Sequence, residues 1–167
     1  MPAGSDPVAT MSTPPSASAP QVPAPALPHT WRPFGPRLAA PLFGLLLVGA
    51  FVWLWSSFDE QTRDTVSGLQ IFTVGAIVFT GLALLYAMAR SRVTATPEGL
   101  TVVNGYRRRD LTWAQIEKVR MPLGAPWPSL DLVGEKTIPI LGIHGSDGAR
   151  GRQAVRELKA VAAQRLA

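Results

Sequence analysis

The chain reads as an α+β membrane protein: a two-helix transmembrane hairpin, then a small antiparallel β-sheet or barrel, then a C-terminal amphipathic helix. Three observations predict it. Residues 38–58 and 66–89 are apolar and free of charge, and the seven residues between them carry Asp59, Glu60, Arg63 and Asp64. Beyond residue 92, short alternating segments are punctuated by turn residues roughly every eight to twelve positions, the rhythm of a small antiparallel sheet. After Gly145 the apolar period becomes helical, with Val155, Leu158, Ala162 and Leu166 on one face.

The first 37 residues precede these elements. Ten of the sixteen prolines lie in the first 36, among Ala, Ser and Thr, with Asp6, His29 and Arg32 as the main ionisable groups. Such a composition buries too little surface to offset its ordering entropy. Residues 1–37 are therefore expected to form a disordered cytoplasmic tail, extended where proline recurs at residues 23–28.

At about 1.5 Å per helical residue the two apolar stretches reach roughly 31 and 36 Å, against a hydrocarbon core of about 30 Å. The first is too long for a signal peptide and lacks a small-residue cleavage site at its end, so it reads as a retained anchor. Arg32 and Arg37 precede the first span and Arg90 and Arg92 follow the second, whereas the loop 59–65 holds one Arg against three acids. Cations near span ends mark the cytoplasmic side, which places both termini inside and the loop outside the plasma (inner) membrane. Trp31, Phe34, Trp53, Trp55 and Tyr86 occupy positions expected of interfacial aromatics.

No ionisable residue lies within either span, so a transport pathway or proton relay has no candidate group. Small residues recur at Ala76, Thr80, Ala83 and Ala87 in the second span and at Ala40 and Gly44 in the first. Such stripes let backbones approach, and the expected use is packing of the hairpin on itself. A homo-oligomeric contact is the other use.

Strands are expected at 93–96, 100–103, 106–112, 117–121, 129–133 and 136–143, with Pro97-Glu98-Gly99 and Asn104-Gly105 as turns. Ser146 or Asp147 supplies a cap for the final helix. Gly142, Gly145, Gly148 and Gly151 form a three-residue repeat ahead of it. That repeat lacks the Gly-Lys-Ser/Thr ending of a nucleotide loop and reads as a flexible connection.

These residues carry a resemblance. The strand Val93-Thr94-Ala95-Thr96, the segment Glu98-Gly99-Leu100-Thr101-Val102, Trp113 with Ile116 and Val119, Pro126-Trp127, and the last helix with Ala154, Val155 and Leu158 resemble the bacterial PH-like domains of the low-molecular-weight protein antigen family. Those domains often follow a pair of membrane helices. The resemblance covers residues 92–163 and implies a curved PH-like β-sheet with a helix against it, in a domain at 90–167 that binds instead of catalysing. It departs from phosphoinositide-binding PH domains in the first turn, Pro97-Glu98-Gly99, which has no cation; phosphoinositide recognition is not carried over.

Charge gives the candidate site. Residues 90–167 hold 13 Lys and Arg against 7 Asp and Glu, while residues 1–89 hold 3 against 4. With only Arg90, Ser91 and Arg92 between the second span and the first strand, the domain is expected to lie against headgroups. Arg90, Arg92, Arg107, Arg108 and Arg109 are the candidate membrane-surface contacts, each worth about 1 kcal/mol beside an anionic leaflet. The alternative for the Arg107–Arg109 run is protection of an exposed strand edge. Trp113, Trp127 and Leu130 are the candidate lining of a groove for an unidentified protein partner. A nucleic-acid partner is disfavoured, because Trp113 and Trp127 lack an aromatic platform around them.

Catalysis finds no support in the residue pattern. There is no cysteine, no Ser-His-Asp order, no zinc spacing and no paired carboxylate at helical spacing, and the two histidines lie across the spans from each other. No cofactor, metal or catalytic residue is assigned. The expected function is a non-enzymatic interaction module held at the inner membrane face, binding a protein partner or an anionic lipid surface. The alternative is an accessory subunit of a transport or envelope-assembly complex whose helices make the specific contacts.

Overall fold

The computed structural model describes residues 23–134 and 136–166. Its elements are β1 (His29–Trp31), α1 (Phe34–Ser57), α2 (Glu60–Thr65), α3 (Gly68–Arg90), β2 (Arg92–Ala95), β3 (Gly99–Asn104), β4 (Arg107–Thr112), β5 (Ile116–Arg120), β6 (Ser129–Leu132), β7 (Lys136–Pro139) and α4 (Ala149–Leu166). Residues 1–22, most of the expected tail, lie outside the described residues. The end of that segment departs from the expectation. His29, Thr30 and Trp31 pair antiparallel with Ala95, Thr94 and Val93, so the chain enters the sheet before it enters the first long helix. One buried Trp supplies the reason: Trp31 is 6% exposed, packs in the domain core, and donates its indole N–H to Glu157 at 2.9 Å. It is a core residue, not an interfacial aromatic.

Helices α1 and α3 are long and apolar enough to cross a membrane. At 24 and 23 residues they span roughly 36 and 35 Å. Their hydroxyls are satisfied within the helix: Ser56 and Ser57 donate to the Trp53 carbonyl, Thr73 to Leu69 and Thr80 to Ala76. Gln70, the most polar side chain in these stretches, closes a capping box with Ser67 at the start of α3. The loop between them is a single short helix, α2, capped by Asp59.

The hairpin packs through Gly44 against Leu82 and through Gly81 against Leu47. Ala40 and Gly44 are buried there. The α3 stripe is used differently from the expectation: Ala76 and Thr80 are exposed, and Ala83 and Ala87 receive the β-domain. Gly81, Leu82 and Tyr86 of α3 face α1, which leaves Ala83 and Ala87 to seat a different neighbour.

The β-domain consists of a four-stranded antiparallel sheet, β1-β2-β3-β4, and a three-stranded antiparallel sheet, β5-β6-β7. Between them and α4 lies one core containing Val93, Leu100, Val102, Trp113, Ile116, Leu130, Ile140 and Leu158. Burying each large aliphatic side chain contributes about 1.5–3 kcal/mol. Helix α4 faces that core with Val155, Leu158, Val161 and Ala162, while Leu166 is left exposed. A register shift between Ile116 and Lys118 bends β5, as a bulge does.

One turn, one strand end and the glycine repeat differ from expectation for identifiable reasons. The β3–β4 loop is Gly105-Tyr106, one residue later than Asn104-Gly105, because Asn104 is drawn into the strand opposite Arg107. Its amide donates to the Pro139 carbonyl and its oxygen accepts from the Leu141 N–H at 3.0 Å, tying the two sheets. The last expected strand stops at Pro139. The glycine repeat after it is a packed crossing, not a flexible connection: a Cβ on Gly142 would sit 2.6–2.8 Å from the Arg92–Val93 backbone, and one on Gly151 would overlap the His144 carbonyl.

Candidate functional site

The site is the junction where the helices meet the domain. Helix α1 begins without a side-chain cap of its own. Its first N–H groups, which have no partner within the helix, donate across the molecule to Asp147: Phe34 N–H at 2.9 Å and Gly35 N–H at 2.8 Å. Asp147, an expected cap for α4, therefore caps α1 instead. Arg150 stacks on the Phe34 ring at 4.3 Å beside it. These contacts fasten the start of α1 to the domain.

The end of α3 is held by the β3–β4 turn. Buried Ser91 donates to the Ala87 carbonyl at 3.1 Å and accepts the Gly105 N–H at 3.0 Å. Gly105 has φ of +60°, and a Cβ there would lie 3.2 Å from Ala87, so both conformation and space call for glycine. Tyr106 reaches back along the helix and donates its hydroxyl to the Ala83 carbonyl at 2.8 Å. Arg90 lies over the rings of Tyr86 and Tyr106, at 5.9 and 5.8 Å.

The five arginines chosen as membrane-surface contacts fall in three places. Arg90 belongs to the aromatic cluster just described. Arg92 opens β2 on the outer sheet face, opposite Val103, whose other neighbour is Arg108. Arg108 is not free: its guanidinium grips Asp110, with contacts from 3.0 to 3.2 Å. That pairing, with the Thr101 hydroxyl at 2.6 Å, holds the Asp110 carboxyl below the ordinary carboxylate range and raises the Arg108 guanidinium. Arg107 and Arg109 project from the other face and line a cleft of about 300 Å³ with Asn104, Thr137, Pro139 and Leu141. Neither has an ion-pair partner among the described residues.

The expected partner groove does not assemble. Trp113 is 7% exposed and Leu130 fully buried, both within the core; the Trp113 indole donates to the Thr96 carbonyl at 3.1 Å. Only Trp127 faces solvent, edge-on to His144 at 6.0 Å. Two sheets packed face to face bury the inward side chains of both, and that is what removes Leu130 from any surface. Asp131 on β6 pairs with Arg120, and that hydrogen bond, aided by Thr137, holds its carboxyl below the usual range. No cluster of His, Cys, Asp or Glu able to hold a metal ion occurs among the described residues.

Asp147, Ser91 and Tyr106 carry the junction and were not singled out for it in the sequence. An acid just before a helix signals a cap, but nothing local says that the helix capped lies 113 residues earlier.

Comparison with known proteins agrees with this architecture. Residues 90–160 match the family model described as Bacterial PH domain. The match begins at the last residue of α3, so strand β1 lies outside it. An uncharacterized protein of Mycobacterium tuberculosis is 28% identical over 137 residues, which is 82% of this chain and 86% of the relative. An uncharacterized protein of Mycobacterium bovis is similar to the same extent. Because 137 residues exceed the β-domain, that similarity reaches into the helices. No solved structure matches the chain. The family match and the two-sheet architecture agree, and residues 90–160 are similar to the Bacterial PH domain.

Proposed function

We propose that the chain is a non-enzymatic, membrane-anchored PH-like interaction module whose domain rides on the inner face of the plasma membrane, both termini cytoplasmic, and reads an anionic lipid surface. The observation that carries this reading is the junction: the start of α1 and the end of α3 both attach to the domain through named hydrogen bonds, while nearly all the apolar surface of both helices stays uncovered. Helices apolar on every side need either a protein interior or lipid around them, and a bilayer would supply it to the surface this hairpin leaves uncovered. Arg92, Arg107 and Arg109 then lie in the domain beside the headgroups without acidic partners among the described residues. The order of helix pair and domain also supports placing the chain with the low-molecular-weight protein antigen family.

The absence of cysteine makes topology directly testable. Single cysteines at Ser12, Thr62 and Ser146 are expected to react with an impermeant label in intact cells only at Thr62; any other pattern sinks the anchored reading. Replacing Arg92, Arg107 and Arg109 by Gln in the full chain tests the lipid role. Salt-sensitive attraction of its vesicles for anionic surfaces is expected to fall, and an unchanged response removes it. The second reading, an accessory subunit engaging partners through its helices, is favoured by one observation: Ala76 and Thr80 of α3 are exposed and unused by the hairpin. Crosslinks from position 76 to another protein in native membranes would support it.

A further inference from the structure

Between α1 and α3, at the end nearest the domain, runs a groove of about 490 Å³ lined by Ala40, Pro41, Gly44, Val48, Leu82 and Tyr86 among others. Small residues on α1 create it: Ala40 and Gly44 are buried against α3 and leave space that larger side chains would fill. Pro41, lacking an N–H, also deprives the Arg37 carbonyl of its helical donor.

Two arginines stand at the domain-side end of the helices that form this groove. Arg37 stands three and four residues before Ala40 and Pro41, on the same helical stripe. Arg90 stands four after Tyr86, and its guanidinium is held over the Tyr86 and Tyr106 rings at 5.9 and 5.8 Å. The helices are antiparallel, so both arginines flank the same end. Neither has an acidic partner among the described residues. An apolar surface groove with an arginine on each helix at its domain-side end matches one chemistry: an acyl chain carrying an anionic headgroup.

We infer that this groove is a binding site for an anionic phospholipid of the inner leaflet, with an acyl chain between α1 and α3 and the phosphate between Arg37 and Arg90. The inference rests on the membrane-anchored reading and adds a lipid class and an address to it. It differs from attraction of the domain surface to the leaflet, because it places one lipid against the helices.

The test uses the full chain in phosphatidylcholine vesicles doped with photoactivatable phosphatidylglycerol or photoactivatable phosphatidylcholine, each with its carbene precursor on the acyl chain. Adducts of the anionic lipid are expected to concentrate on residues 41–48 and 82–89 in about thirtyfold excess over the zwitterionic one, the effect of two cations near a charged headgroup. The double variant Arg37→Gln, Arg90→Gln is expected to lose that excess while still floating with the vesicles. Arg152→Gln, Arg156→Gln on α4 serves as the control and is expected to keep it. Equal labelling by both lipids, adducts spread evenly along both helices, or an excess that survives the double variant overturns the site. A chain that fails to float with vesicles overturns the anchored reading instead, so the two failures are distinguishable.

Discussion

The helical hairpin and the β-domain use apolar residues in opposite ways. In the domain, Val93, Leu130, Ile140 and Leu158 are fully buried. In the hairpin, Phe72 and Leu69 are more than 70% exposed, and so is Phe79, in the middle of a helix. The polar groups differ correspondingly. Domain hydroxyls and amides reach across elements, as Asn104 does between sheets, whereas the hydroxyls of Ser57, Thr73 and Thr80 turn back four residues to their own helix. A helix without neighbours on most of its surface must satisfy its polar groups internally, which is the requirement hydrocarbon imposes. The two halves thus satisfy their polar groups in different ways, and they meet where Asp147, Ser91 and Tyr106 join them.

Several substitutions break or sharpen this contrast. The largest effect is expected from Leu158→Ala, which opens a cavity in the domain core and costs about 2–5 kcal/mol. Denaturant unfolding followed by amide exchange should show the sheets loosening while the protection of α1 and α3 persists; joint loss of both would show that the halves fold as one unit. Asp147→Ala acts at the seam. It strips two N–H groups at the start of α1 of their acceptor, costs about 1–2 kcal/mol, and is expected to accelerate exchange at Phe34 and Gly35 specifically. Tyr106→Phe removes the hydroxyl bonded to the Ala83 carbonyl and should cost about 0.5–1.5 kcal/mol, read as a smaller shift of the same unfolding curve.

The smallest expected effect is from pH and is confined to the domain. Asp110 and Asp131 have carboxyls held below their ordinary value of 3.8 by Arg108 and Arg120. A depressed folded-state value means that stability from these pairs is complete above the unfolded value and is lost as pH falls below about 3.8 through the folded one. Between neutrality and pH 5 the domain should therefore unfold at an unchanged denaturant midpoint on this account. Asp110→Asn with Asp131→Asn is expected to flatten the decline predicted below pH 4.

Much of this architecture is readable in the residues because it is local. Strand and turn chemistry placed β2 through β7 within a few positions, since alternation and Gly or Pro punctuation act over short distances. What escaped depends on contacts far apart in sequence. Strand β1 sits in a proline-rich stretch, and only the core awaiting Trp31 makes it a strand. Asn104 leaves its turn because Pro139 and Leu141, more than thirty residues away, need its amide. The candidate site divided the same way. The alternation of Arg107, Arg108 and Arg109 and the capture of Arg108 by Asp110, two residues on along the same strand face, are local, but the burial of Trp113 and Leu130 follows from sheet stacking.

The two attachments at the seam also decide how the domain can move. A body hung from one helix end swivels about it; a body fastened at Asp147 to one helix and at Ser91 and Tyr106 to the other has no such freedom. Rotation of the sheet then requires the helices to change their crossing, and a change of crossing turns the sheet. The hairpin and the sheet are in that sense linked, so that the crossing of α1 and α3 sets the direction in which Arg107 and Arg109 point.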